Sequence, residues 1–86
     1  MNINQLIKNV KRKISNEISF DNILIIDETS KHLNHKSHTL GKFHLKIIIT
    51  SKSLRQKNKI QSSRLIYKII DYEIKNYIHS VQLDII

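Results

Sequence analysis

The chain has 86 residues, a formal net charge of +8, no cysteine, no proline and one glycine. That length accommodates a single domain, 1–86, with one core, and 40% hydrophobic residues are too many for a disordered tail. The lack of cysteine excludes a disulfide framework, a cysteine nucleophile and any thiolate metal site held by this chain alone, and it favours a cytoplasmic over a secreted setting.

Apolar residues recur at helical spacing from residue 3 to 16: Ile3, Leu6, Ile7, Val10 and Ile14. Lys8, Lys11, Arg12 and Lys13 fill the other face, and Asn2 or Asn4 is placed to cap the start. The stretch to Phe20 lacks the continuous apolar run of a signal peptide, and no segment is apolar for long enough to span a bilayer. Residues 20–27 are isoleucine-rich and suit a buried strand. Residues 29–42 have no clear period and contain the one glycine, which predicts a long, basic, histidine-rich loop.

In residues 43–51, Phe43, Leu45, Ile47 and Ile49 alternate with His44, Lys46, Ile48 and Thr50, a strand with one buried and one mixed face. Residues 52–63 form a polar connection with room for one short helical turn. Residues 64–75 predict a second main helix burying Leu65, Ile66, Ile69, Ile70 and Ile74. Ser62 or Ser63 suits its N-cap and Asn76 its stop. A last strand covers 77–85, with Val81, Leu83 and Ile85 on one face. The order α-β-β-(α)-α-β predicts a two-layer α+β domain: a three-stranded mixed sheet with helices on one face. The first two strands are then antiparallel and the last two parallel, joined by a right-handed crossover.

Isoleucine, lysine and asparagine are abundant and alanine is absent, a bias of A/T-rich codons, so the placing of charge informs more than its total. Between Glu28 and Asp71 lie ten basic residues and no acidic one; the flanks hold five basic and seven acidic residues, net −2. Within this block Lys52, Arg55, Lys57, Lys59 and Arg64 gather around the start of the main helix, a candidate surface for phosphates. The block has no Gly-x-x-Gly clamp and no interleaved aromatic residues, so only nonspecific nucleic-acid affinity follows from it.

Catalysis finds little support. Asp27 and Glu28 are adjacent on a strand and point to opposite faces, and Ser62-Ser63 has neither a glycine elbow nor an evident base. His32, His35 and His38 form H-x-x-H-x-x-H, which suits adventitious metal binding rather than a structural zinc site.

Four segments in register resemble one family. Asp27-Glu28-Thr29-Ser30-Lys31-His32 is similar to the Asp-Glu-Ser-x-x-His segment of BolA-like proteins of the BolA/IbaG type. His44-Leu45-Lys46-Ile47-Ile48-Ile49-Thr50-Ser51 resembles their His-Phe-Lys and the apolar strand after it. Ser62-Ser63-Arg64-Leu65-Ile66-Tyr67 lies where they carry Arg-His-Arg, and Ile78-His79-Ser80-Val81-Gln82-Leu83 resembles their Val/Ile-His-Ala-Leu-x-Leu.

The resemblance implies an α-β-β-α-α-β fold similar to a class II KH domain. It implies a small, non-enzymatic, bacterial protein that pairs with a monothiol glutaredoxin and shares a [2Fe–2S] cluster with it, in iron–sulfur homeostasis and stress response. Carried over by position, the cluster ligands are His79 and His32, with His35 the runner-up in the loop. Alone, the chain holds no cofactor; a membrane or a small-molecule substrate is not implied. The alternative is a DNA-binding transcriptional regulator of cell morphology and stress genes acting through residues 52–64. Four departures stand out: Ser62 and Ser63 replace the family's Arg-His pair, Gln56 stands where glycine is usual, Leu54 stands where an aromatic is usual, and the tail after the last strand is missing at Ile86.

Overall fold

A computed structural model describes residues 1–32 and 42–86, with Lys31 and His32 described in their backbone alone. Helix α1 spans Ile3–Glu17. Asn2, not Asn4, starts it through a capping box: the Asn2 side chain accepts from the Gln5 amide at 2.9 Å, and the Gln5 side chain accepts from the Asn2 amide at 3.2 Å. Its stripe Leu6, Val10 and Ile14 is fully buried, and the chain turns extended at Ile18.

Strand β1 spans Asn22–Asp27, starting two residues later than the isoleucine-rich run suggests, because Phe20 packs on the core rather than pairing. A 3₁₀ turn, Thr29–His32, then opens the expected loop, whose remainder from 33 to 41 lies outside the described residues. Strand β2, Phe43–Thr50, is central: β1 pairs with it antiparallel and β3, Ile78–Ile85, parallel.

Three helices make the β2–β3 connection: α2 (Lys52–Arg55), α3 (Lys59–Ile69) and α4 (Asp71–Asn76). Ser51 caps α2, its hydroxyl oxygen accepting from the Leu54 amide at 3.3 Å. The sequence suggested Ser62 or Ser63 as the cap of the main helix, and the structure corrects this. Asn58 caps α3, accepting from the Gln61 amide at 2.8 Å. Ser62 lies buried inside α3 and donates to the Leu54 carbonyl at 2.7 Å, which binds α2 to α3. The single helix expected over 64–75 is in fact the end of α3 and all of α4, separated at Ile70. Asn76 does end α4, its side-chain amide donating back to the Tyr72 carbonyl at 2.8 Å.

The core lies between the helices and one face of the sheet. Ile23, Leu45, Ile47, Ile49 and Ile78 from the strands meet Leu6, Val10 and Ile14 of α1, Leu54 of α2, and Ile66 and Ile70 of the crossover. No helix among the described residues covers the opposite face, and Leu24 on it is 51% exposed.

One polar contact joins the two ends of the helical layer. The Glu73 side chain in α4 is 2% exposed, and its Oε2 lies 2.6 Å from Lys13 Nζ in α1. Its Oε1 is buried with no hydrogen-bond partner among the described residues, so Lys13 is the group that offsets the cost of burying this carboxylate. Lys13→Met is expected to destabilise the protein by about 2 kcal/mol, because it leaves a buried charge unpaired. Lys13→Met/Glu73→Leu is expected to recover more than half of that loss. Urea denaturation of the three proteins checks both statements, and a double variant weaker than the single one would refute this account of the pair.

Candidate functional site

The residues to consider lie where β2 begins. His44, its second residue, is 5% exposed although it belongs to the mixed face of the strand. Its amide donates to the Thr29 hydroxyl at 3.2 Å, and its carbonyl accepts from the Glu28 amide at 2.8 Å. Its ring Nδ1 is hydrogen-bonded to the Ser80 hydroxyl at 2.6 Å, and the ring packs tilted against that of His79, centroids 4.9 Å apart. The backbone of His44 thus holds the base of the β1–β2 loop on one side, and its buried imidazole contacts the start of β3 on the other.

Each neighbour is held by local chemistry. Asp27 accepts from the Thr29 amide at 3.0 Å and from the Thr29 hydroxyl, an Asx-type turn that starts the 3₁₀ segment ending at His32. On the other side the β2–β3 ladder skips one residue: Phe43 pairs with Ile78, and His44 pairs with Ser80. His79 is the extra residue of this bulge. It is exposed, at the rim of a shallow hollow of about 320 Å³ shared with Tyr67, Asp71 and Ile74. Just before it, the Tyr77 carbonyl accepts from the Phe43 amide at 2.9 Å. A hydrogen bond with the Tyr72 side chain, followed by repulsion from that group, holds the Tyr77 phenol above its ordinary 10.0.

The 3₁₀ turn that ends at His32 and the bulge at His79 therefore adjoin His44 from the two strands on either side of β2. His35 and His38 lie outside the described residues. Among the described residues no three His, Cys, Asp or Glu side chains gather in a metal-binding group. Sequence reasoning missed the pairing of His44 with Ser80. The only signal was a histidine on the mixed face of a central strand.

The basic candidates are all exposed, and they divide. Arg55, Lys57 and Lys59 line a cleft of about 610 Å³ between the start of α3 and the end of β3. Lys52 lines a separate hollow beside Ser19 and Phe20, and Arg64 lines neither.

A family model described as "BolA-like protein" matches residues 14–86. The chain belongs to the BolA-like family. Solved BolA domains share its fold. The BolA domain of SufE1 from Arabidopsis thaliana superposes with a TM-score of 0.75 at 22% identity, over 91% of this chain and 86% of that one. BolA1 from Arabidopsis thaliana gives 0.77 at 19% identity, over 93% and 88%. A bol-like protein from Babesia bovis gives 0.72 at 15% identity, over 100% and 85%. No curated protein sequence matches the chain at a significant level. No helix among the described residues is long and apolar enough to cross a membrane.

In this BolA-like chain the Ser80 hydroxyl is a hydrogen-bond partner of a nearly buried ring. Ser80→Ala is expected to cost about 1 kcal/mol in chemical denaturation. It is also expected to shift the His44 and His79 ring resonances together in NMR spectra. A shift confined to His44 would show that the two rings are not mechanically coupled.

Proposed function

We propose that this BolA-like chain is a non-enzymatic binding protein that pairs with a monothiol glutaredoxin and shares a [2Fe–2S] cluster with it. His79 and His32 are the proposed ligands from this chain, with His35 the other loop candidate. The observation that carries the reading is the exposed His79 imidazole, set out from the ladder by the bulge, with the His32-bearing turn across His44 from it.

Among iron–sulfur clusters, the donor set suits one shared with a partner rather than an all-thiolate cluster held by this chain alone. The chain has five histidines and no cysteine, so it supplies imidazoles while the thiolates must come from a partner. When bound, such a cluster supplies one-electron chemistry, and imidazole ligation raises its potential above that of an all-thiolate centre. The protein's own part is mechanical. Ser80 fixes the His44 ring, that ring supports one side of His79, and the His44 backbone holds Thr29 at the root of the loop. A ligand held this way loses less freedom on binding than one on an unsupported loop.

The alternative reading, DNA binding through residues 52–64, is supported by the exposure of Lys52, Arg55, Lys57, Lys59 and Arg64. Five such charges suit phosphates and give salt-dependent affinity. Since only three of the five share a cleft and Lys52 lines another hollow, they favour nonspecific attraction over readout of bases.

Anaerobic cluster reconstitution with a monothiol glutaredoxin, read by visible absorption and circular dichroism, tests the first reading. His79→Ala is expected to abolish the mixed-species spectrum, and either His32→Ala or His35→Ala to abolish it as well. A spectrum identical to that of glutaredoxin alone would remove the iron–sulfur reading. A specific-to-nonspecific ratio near one in salt-titrated DNA binding would remove the alternative as a regulatory function.

A further inference from the structure

The cleft at the far end of β3 from His79 has a different chemistry. The part-exposed Leu83 and Ile85 give it an apolar floor beside the buried Leu54, and the exposed Arg55, Lys57 and Lys59 form its rim. These three cations make no ion pair among the described residues, whereas Lys13, Lys46 and Lys75 are each paired with a carboxylate. Asp84, which also borders the cleft, is engaged by Lys46 at 3.7 Å.

The wall of the cleft is a sheet edge. β3 has β2 on one side only, and no described strand pairs with its outer side. Sheet edges are usually guarded by lysine, proline or a bulge. Here the bulge sits at His79, and the remaining residues from Ser80 to Ile85 hold one charge, Asp84. The half of the edge that borders the cleft is therefore open to pairing.

We propose that this cleft binds an extended acidic segment of a partner protein, added as a fourth strand along the outer edge of β3. On the side facing α3, an apolar residue of the segment covers Leu83 and Ile85, and an acidic residue two positions along meets Lys57 and Lys59. Backbone pairing with β3 supplies affinity, and the cationic rim selects the acidic sequence. A single-stranded nucleic acid fits less well. The cleft has no aromatic lining for base stacking, and Gln56-Lys57-Asn58 joins α2 to α3 with no glycine for close backbone approach. This site is independent of the His79 end, so its test can fail while the iron–sulfur reading stands, and the reverse.

The test is fluorescence anisotropy of the full chain with the labelled peptide Thr-Leu-Thr-Leu-Thr-Glu-Thr-Glu. Its lysine-for-glutamate counterpart and oligo-dT are the competitors. The acidic peptide is expected to bind at least tenfold tighter than the basic one and to resist displacement by oligo-dT. Lys57→Glu/Lys59→Glu changes only exposed side chains and is expected to weaken acidic-peptide binding about tenfold, from the loss and reversal of two rim pairs. It should leave cluster assembly with glutaredoxin unchanged. N-methylation of alternate peptide amides is expected to abolish binding in one register and spare it in the other. Equal binding of both peptides, preferential binding of oligo-dT, or indifference to both methylation patterns would each overturn the proposal.

Discussion

The register of β3 depends on one residue that pairs with nothing in the ladder. Ile78 stands opposite Phe43 and Ser80 opposite His44, so His79 is an insertion in the strand. Side chains alternate along a strand with a period of two, and a one-residue slip turns every later side chain to the other face. Without the bulge, a strand that keeps Ile78 in the core would carry Val81, Leu83 and Ile85 away from the helices. With it, these three join the core along with Ile78. The same insertion leaves the His79 imidazole exposed and brings Ser80 against His44. A packing requirement and a candidate ligand position therefore share a single cause.

His44 shows why the start of β2 is a natural place for a site. A buried imidazole without partners would cost the fold free energy. Here the ring is satisfied by Ser80 and braced by His79, while its backbone closes the base of the β1–β2 loop through Glu28 and Thr29. The polar network is thus local to three chain segments that are far apart in sequence. His44 therefore connects His79, through its ring, to the root of the loop, through its backbone.

Much of the architecture was legible because the periods were clean. The stripe Leu6, Val10, Ile14 and the alternation Leu45, Ile47, Ile49 led directly to the buried faces observed. The break between α3 and α4 was not legible, since Ile66, Ile70 and Ile74 keep a four-residue spacing across it. The cap was misread because two serines stood nearer the apolar run than Asn58. One of them, Ser62, serves the α2–α3 junction instead. The 3₁₀ turn was hidden in an aperiodic stretch, although Asp27 two residues before Thr29 is the chemistry that makes it. At the site, His79 and His32 were found through the likeness of short segments. The His44–Ser80 contact was out of reach because it depends on the bulge, and nothing local in the strand sequence announces an inserted residue.

The charge of the molecule is organised by the fold rather than spread by composition. A codon bias toward lysine would scatter cations over the surface without regard to partners. Instead, Lys13 reaches a buried glutamate, Lys46 reaches Asp84 across the open sheet face, and Lys75 pairs with Asp71 one helical turn away. Arg55, Lys57 and Lys59 are left together where α2 gives way to α3, beside apolar floor residues and an unpaired strand edge. Exposed pairs of the Lys75–Asp71 kind add little stability. Cations outside these pairs remain on several surfaces, among them Lys8, Lys11 and Arg12 on α1 and Lys68 on α3, and three of them gather at one end of β3. At the other end, the hollow at His79 holds Tyr67, Asp71, Ser80 and the apolar Ile74 and Val81, with the His44 ring against His79. One edge strand therefore presents two surfaces of different chemistry, an imidazole site at its start and a cationic, apolar cleft at its end.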